Sequence, residues 1–321
     1  FKNSTNISPE IVGYSHWFEV KENSNYDPTM LAQNLLGILE MKECCVNSIW
    51  LKDFVIDKSK ELLNDKQVDK LEKIIQPHYL GIDDVSPDHD YEPKTILFNH
   101  RDNDYTGYSW FVEQMDKLYE KRQDFKVFTT LTNLDRPYAE RVKLSSREEY
   151  LNFVRKMHMG VGCFKTYSAW SISTTDGLSQ GVPYVLPNKL CYPEMVGKDY
   201  PLLYEEKDFL STIENMLDNP NVREEAKDYL NPLLPNFKWS GRVLSWFDNW
   251  STIEDLKTIS KTESYDKIVK FIRRRKSVTK KDIIEHMGGW GLRIKWTPYR
   301  NRLRNEKDIK LTKNRYEVIE K

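Results

Sequence analysis

No run in this sequence is apolar over the ~20 residues that a membrane-spanning helix needs, and no secretory signal stands at its start. The chain opens on Phe1 rather than Met, so the missing signal is weak evidence, and the expectation of a cytoplasmic protein rests on its cysteines. Cysteine is scarce. Cys44, Cys45, Cys163 and Cys191 contain no CxxC pair, which argues against a disulfide scaffold and for a reducing compartment. Cys163 and Cys191 are expected to be buried small hydrophobes. A DxD metal motif is missing as well, and the acidic run "DDVSPDHD" at 83–90 reads as a solvated connector. No Asp or Glu pair stands out as a nucleophile and acid, and a metal need not be invoked.

Net charge is also absent, with 49 Lys and Arg against 49 Asp and Glu, but the balance hides an asymmetry. Residues 261–321 carry 19 basic and 8 acidic side chains; the other 260 residues carry 30 and 41. A small basic segment of that kind points to a polyanionic partner. With 39% hydrophobic and 31% charged residues the chain reads as globular rather than disordered.

Four parts are expected along the chain. Residues 1–88 offer a strand at Ile11–Gly13, a helix near Met30–Leu39, "CCVNSIW" and a charged helical stretch over Lys52–Ile75. That is too few strands for a whole α/β domain, so this part reads as incomplete at its N-terminus. Residues 89–237 alternate strands ("KTILFNH", "FKVFTTL", "MGVGCF", "VPYVLP", "KDYPLLY") with helices over Trp110–Arg122, Ser145–Met157 and Glu206–Leu217. Such alternation predicts a parallel sheet covered on both faces, with ligands at the carboxyl ends of its strands. Residues 238–260 read as a linker helix, over about Ser240–Leu256. Residues 261–321 read as helices at Tyr265–Arg274, Thr279–Met287 and Thr297–Arg304 followed by the hairpin "DIKLTKNRYEVI", the order of a winged helix.

Two loops are candidates for chemistry. After the strand ending at Asn99, "HRDNDYTGYSW" places Arg101 where its fork of donors suits a diphosphate, and Gly107 before a helix start suited to an anion. The segment "TYSAWSISTTDGLSQGVP" at 166–183 is rich in hydroxyls and glycine, and Asp176 could accept two hydrogens from a ribose diol. A lone Asp before Gly is also an ordinary turn or cap.

These residues together resemble the donor-binding domain of GT-B glycosyltransferases, especially the retaining family 4 type. In that family a basic residue follows the first strand of the second domain and precedes a Lys-Gly pair; Arg101 and Thr106-Gly107 stand there. "SAWSISTTD" at 168–176 is similar to the family's segment running between two glutamates. The resemblance implies two Rossmann-like domains and a nucleotide-sugar donor, UDP-glucose by preference. It implies that Asp176 holds the ribose and that Ala169, Trp170, Ser171, Thr175, Gly177, Thr106 and Gly107 line the donor. Arg101 would stabilise the leaving diphosphate, which itself helps deprotonate the acceptor on the same face, so configuration is retained. "IVGYSHWFEV" makes His16 a candidate active-site residue at the cleft; a histidine beside tryptophan is also commonly just packed. Trp239-Ser240 and the helix after them resemble the family's final crossover segment. Two positions depart from the pattern: Thr106 replaces the lysine and Ser168 the first glutamate.

The basic end suggests the acceptor. Arg273, Arg274, Arg275, Lys276, Lys280, Lys295, Arg300, Arg302, Arg304, Lys313 and Arg315 are candidates to contact DNA phosphates. Joined to a sugar-transfer domain, they resemble bacteriophage enzymes that glycosylate a hydroxymethylated base in double-stranded DNA, within the host cytoplasm. Such a base has to be flipped out of the helix. Two other readings stand beside this one: a glycosyltransferase acting on lipid or cell-wall acceptors, and a DNA-binding regulator that keeps a vestigial sugar-nucleotide domain.

Overall fold

The computed structural model describes residues 10–82, 85–86, 89–238, 261–279, 282–283, 303, 306, 308–312 and 315–318. The chain divides into two compact units, 1–246 and 247–321.

The first unit holds two parallel sheets. The smaller has the order β1 (Val12–Ser15), β2 (Glu43–Val46), β3 (Ile75–Pro77). Helices α1 (Pro28–Leu39), α2 (Ile49–Ser59) and α3 (Asp65–Ile74) join these strands. Alternation along β2 sends Cys44 and Val46 to one face, where they are buried with Leu35, Leu51, Val55 and Leu71 of the three helices. The helical stretch expected over 52–75 is two helices. Asn64 breaks it, because its side chain accepts from the Gln67 amide while Gln67 reaches back to the Asn64 amide.

The larger sheet has six parallel strands in the order β6 (Ala139–Arg141), β5 (Lys126–Thr129), β4 (Glu92–Phe98), β7 (Met157–Val161), β8 (Tyr184–Pro187), β9 (Leu203–Tyr204). Helices α4 (Tyr108–Lys121), α5 (Arg147–Val154), α6 (Ile172–Ser179), α7 (Tyr192–Val196), α8 (Phe209–Asp218) and α9 (Pro220–Leu230) accompany it. Ile96, Leu97, Phe98, Val127, Met159, Val161, Val185 and Leu186 are all buried, as expected of strands covered on both faces. The mixed α/β architecture with a parallel sheet therefore agrees with the expected fold class. All four cysteines are buried and unpaired.

Two glycines carry backbone demands. Gly107 has φ +72°, and a Cβ there would lie 1.9 Å from the Cys163 carbonyl oxygen. Gly177 lies in α6, where a Cβ would strike the Tyr184 ring at 2.1 Å.

In the second unit, α10 (Lys261–Arg275) leads into β10 (Ser277–Thr279), which pairs antiparallel with β12 (Arg315–Val318); β11 (Ile309–Thr312) completes the sheet. Ile268, Ile272, Val278, Ile283, Leu303, Ile309 and Tyr316 form its core. The Thr279 hydroxyl accepts from the Asp282 amide at 3.2 Å, and Asp282 accepts from the Thr279 amide at 2.7 Å. The two bonds are reciprocal, as in a capping box, and residues 282–283 are helical. The bulk of the helices expected at 279–287 and 297–304, and the linker helix at 240–256, lie outside the described residues.

Candidate functional site

In both sheets of the first unit the residues that immediately follow the strands converge on one cleft. His16 and Trp17 follow β1, Asn47 follows β2, and Leu80 comes shortly after β3. From the larger sheet, His100, Arg101, Tyr105 and Thr106 come after β4, Leu131 after β5, and Phe164 with the 167–173 segment after β7. Together they enclose a cavity of about 340 Å³. A second cavity of about 310 Å³ is bounded by Asn99, Thr130, Leu144, Ser146, Tyr150 and Asp176. Leu131 and Ser173 line both, so the two adjoin. Carboxyl ends of parallel strands are where open α/β sheets bind ligands.

Asp176 sits on α6 and is 4% exposed. The Arg147 guanidinium donates to both its carboxylate oxygens, Nη2 to Oδ1 at 2.8 Å and Nη1 to Oδ2 at 3.2 Å. Burial pushes the carboxyl above its ordinary value, while Arg147 and the Tyr150 hydroxyl pull it back. Tyr150 in turn accepts from Asn99 Nδ2 at 2.8 Å, and the same Nδ2 donates to the Ser173 carbonyl at 2.9 Å. A carbonyl only accepts, so this bond fixes the amide orientation and leaves Asn99 Oδ1 as an acceptor.

That acceptor has no hydrogen-bond partner. The same holds for Thr130 Oγ1, which lines the smaller cavity with it, and for Asn47 Oδ1 and Trp170 Nε1 in the larger one. Buried polar atoms are normally paired, and leaving one unpaired costs about 1–3 kcal/mol. With Tyr167 Oη, which also lines the larger cavity, five of the ten such atoms among the described residues belong to side chains that line these adjoining cavities. His100 adds a neutral ring: burial pulls it down to about 4, and its Nε2 lies 3.1 Å from the Val161 carbonyl.

The expected site residues divide into two groups. His16, Arg101, Thr106, Ala169, Trp170 and Ser171 line the larger cavity, and Asp176 lines the smaller. Trp170 stacks on Tyr79 at 5.1 Å. Gly107, Thr175 and Gly177 line neither. The Gly107 amide already donates to the Asp104 carbonyl, so the anion-holding amide expected there is spent inside its own turn. Thr175 turns its hydroxyl onto the Ser171 and Ile172 carbonyls, and Gly177 makes room for Tyr184. Thr106 lines the cleft, but its hydroxyl is directed at the Arg101 and Asn103 carbonyls and holds the loop that carries Arg101. Ser168, at the position of the family's first glutamate, lies 3.4 Å from the Cys191 sulfur.

Sequence reasoning missed Arg147, Tyr150, Asn99 and Thr130. Arg147 left no clear signal: it opens α5, but Glu148 and Glu149 in the same first turn already answer the helix dipole. Glu194 was also missed. From α7 its carboxylate accepts from the Ile49 amide at 2.6 Å and the Trp50 amide at 3.0 Å, capping α2 of the smaller-sheet lobe.

In the second unit, Arg273 donates to Asp308 at 2.7 Å and to Glu306 at 3.2 Å, so its charge is balanced locally. Arg274, Arg275 and Lys276 are exposed, and Arg315 donates to Ser277 at 3.0 Å. Lys280, Lys295, Arg300, Arg302, Arg304 and Lys313 lie outside the described residues.

No family model matches the chain, and no curated protein matches it. Solved structures do. A TarM variant from S. aureus, in complex with fondaparinux, α-GlcNAc-glycerol and UDP, is similar at TM-score 0.61 and 10% identity, over 77% of this chain and 52% of that one. Sucrose-phosphate synthase from Thermosynechococcus elongatus is similar at 0.60 and 11% identity, over 78% and 69%. HepE from Anabaena, in complex with UDP and glucose, is similar at 0.59 and 9% identity, over 76% and 72%. The chain spans about half the length of the TarM chain. At these identities the likeness establishes the fold, that of GT-B glycosyltransferases.

Proposed function

We propose that the chain is a nucleotide-sugar-dependent glycosyltransferase whose donor occupies the two adjoining cavities, with the nucleoside beside Asp176 and the diphosphate and sugar beside Arg101. The observation that carries this reading is the set of unpartnered buried polar atoms, Asn47 Oδ1, Asn99 Oδ1, Thr130 Oγ1, Tyr167 Oη and Trp170 Nε1, around cavities at the strand ends. The solved structures of this fold with UDP bound support a UDP-sugar, and the HepE complex with UDP and glucose supports UDP-glucose.

Transfer proceeds with retention. The bond between the anomeric carbon and the diphosphate oxygen breaks, and the acceptor oxygen bonds to that carbon on the same face. The acceptor's proton passes to the departing phosphate oxygen. Arg101, an exposed residue at the rim of the larger cavity, meets the charge that grows on the diphosphate. His16, from the opposite lobe, faces the acceptor.

The finer reading is that the acceptor is a hydroxymethylated base of duplex DNA, flipped into the cleft. Its support is the charge of residues 261–321, 19 basic against 8 acidic side chains. In the described part of that segment, Arg274 and Arg275 are exposed. The test is to incubate the full chain with UDP-glucose, other nucleotide sugars and hydroxymethylated duplex DNA, then search the digested nucleosides for added sugar by mass spectrometry. Hexose on the modified nucleoside is the expected result. Transfer to lipid alone removes the DNA reading, and no transfer or donor hydrolysis with any nucleotide sugar removes the enzyme.

A further inference from the structure

The face of the smaller sheet opposite its helices carries a group of side chains that the sugar-transfer reading does not use. Alternation along β2 puts Glu43 and Cys45 on that face together, since Cys44 and Val46 are packed against the helices. His78 comes from the neighbouring chain segment, one residue past β3, with its amide bonded to the Val46 carbonyl at 2.6 Å. Glu43 Oε1 lies 3.4 Å from Cys45 Sγ and 3.5 Å from His78 Nε2. One donor atom from each of the three residues falls within 4.8 Å of the other two. Cys45 is fully buried, and His78 is 8% exposed.

Thiolate, imidazole and carboxylate are the three ligand types of zinc. Bonds of ~2.0–2.3 Å in a tetrahedron place neighbouring ligand atoms roughly 3.3–3.8 Å apart. Two of the three separations here are in that range before any metal is added, and the third needs only a side-chain adjustment. The ligands are also held by rigid backbone: two lie on one strand, and the third is tied to it by a main-chain hydrogen bond.

We infer that Glu43, Cys45 and His78 form a binding site for a single zinc ion, with a water molecule as fourth ligand. Binding replaces the Cys45 thiol proton by the metal: the S–H bond breaks, the sulfur keeps the electron pair and gives it to zinc, and one proton is released to solvent. The ion joins β2 to the segment after β3. That segment continues through Tyr79, stacked on Trp170, to Leu80 at the wall of the cleft. Zinc at this position staples the cleft wall from behind and takes no part in sugar transfer.

Cobalt(II) is the probe, because it takes the zinc geometry and reports its ligands by colour. Metal-free full-length protein titrated with Co2+ is expected to develop tetrahedral d–d bands and a sulfur-to-cobalt charge-transfer band, saturating at one equivalent and bleached by one equivalent of Zn2+. Cys45→Ser should abolish the charge-transfer band, and Cys44→Ser, in the helix-packed core, should leave it. His78→Gln should weaken Co2+ binding at least tenfold, which serves if Cys45→Ser does not fold. Absence of the charge-transfer band in the wild type overturns the site. So does its survival in folded Cys45→Ser, or unchanged Co2+ affinity in His78→Gln.

Discussion

Arg147 grips the carboxylate of Asp176 end-on, with a donor on each oxygen, and the pair joins α5 to α6 at the wall of the smaller cavity. Arg147 keeps 54% of its side chain exposed while Asp176 keeps 5%. Exposure of the cation weakens the pair by solvent screening, to roughly 1 kcal/mol. Asp176→Asn keeps the shape and one acceptor oxygen but removes the charge and the second, so the fold should hold while the ribose proposed to bind there loses the carboxylate. Donor affinity should fall about tenfold or more, equivalent to ~1.4 kcal/mol, as read by calorimetric titration with UDP. Unchanged affinity in Asp176→Asn undoes the ribose assignment.

With Asp176 as the proposed ribose acceptor, the same carboxylate should set a pH limit on binding that is separate from stability. Burial holds Asp176 above the ordinary 3.8, so the folded protein takes up this proton before the unfolded chain does. The group's contribution to stability is therefore present at low pH and lost as pH rises through the folded value. Donor binding runs the other way, because a ribose diol needs the ionised form, and affinity should fade as pH drops through that raised value. Two histidines act oppositely on the fold. Burial pulls His100 and His158 from 6.5 down to about 4. Each contributes stability that starts to be lost as pH falls below 6.5 and is gone by about 4, up to ~3 kcal/mol apiece. His158 Nδ1 accepts from the Lys94 amide at 3.1 Å. His158→Asn keeps an acceptor there and should flatten the acid limb of urea-midpoint measurements across this range; an unaltered limb removes His158 as its source.

Glu194 belongs to the larger-sheet lobe and caps a helix of the smaller one. Its two oxygens take the Ile49 and Trp50 amides, and Ser48 Oγ takes the Leu51 amide at 3.0 Å, so the first turn of α2 is fully occupied. A carboxylate there gains from the helix dipole as well as from two charge-assisted bonds. Glu194→Ala should cost about 1–2 kcal/mol. It should also speed proteolysis within 78–91, the connector between the sheets. Equal cleavage rates for mutant and wild type would show that the clamp does not hold the lobes.

The larger sheet was legible because doubly covered parallel strands are short apolar runs, and "TILF" or "YVLP" can hardly be anything else. The segment over 174–183 was harder. Its polar letters read as a loop and helix start, yet Thr174, Thr175, Asp176 and Ser179 are buried within α6. Their polarity is hidden locally: Thr175 bonds back to Ser171 and Ile172, Ser179 to the Asp176 carbonyl, and Asp176 to an arginine 29 residues upstream. Periodicity cannot show a helix whose polar side chains face inward and are satisfied by its own turns. The Asp176 position was visible as a candidate; its partner was not, because nothing in the local sequence of α5 points to α6. Helix α9 did leave its mark in "NP": Asn219 caps it and Pro220 opens it.

The basic end can be tested by separating a cation that is paired from two that are exposed. Arg273 is paired with Asp308 and Glu306, whereas Arg274 and Arg275 beside it are exposed. Each phosphate contact adds about 0.9 to the slope of log affinity against log salt for duplex DNA. Replacing Arg274 and Arg275 together by glutamine should lower that slope by about 2 if both meet phosphates, with little change in the denaturation midpoint. Arg273→Gln should reverse the pattern, lowering the midpoint and leaving the slope nearly intact. If fluorescence anisotropy with duplex DNA gives the same slope for the wild type and the double variant, these two arginines do not serve the acceptor. The DNA reading would then rest on the remaining basic residues alone. UDP affinity provides the control, because neither change touches a residue lining the two cavities proposed for the donor.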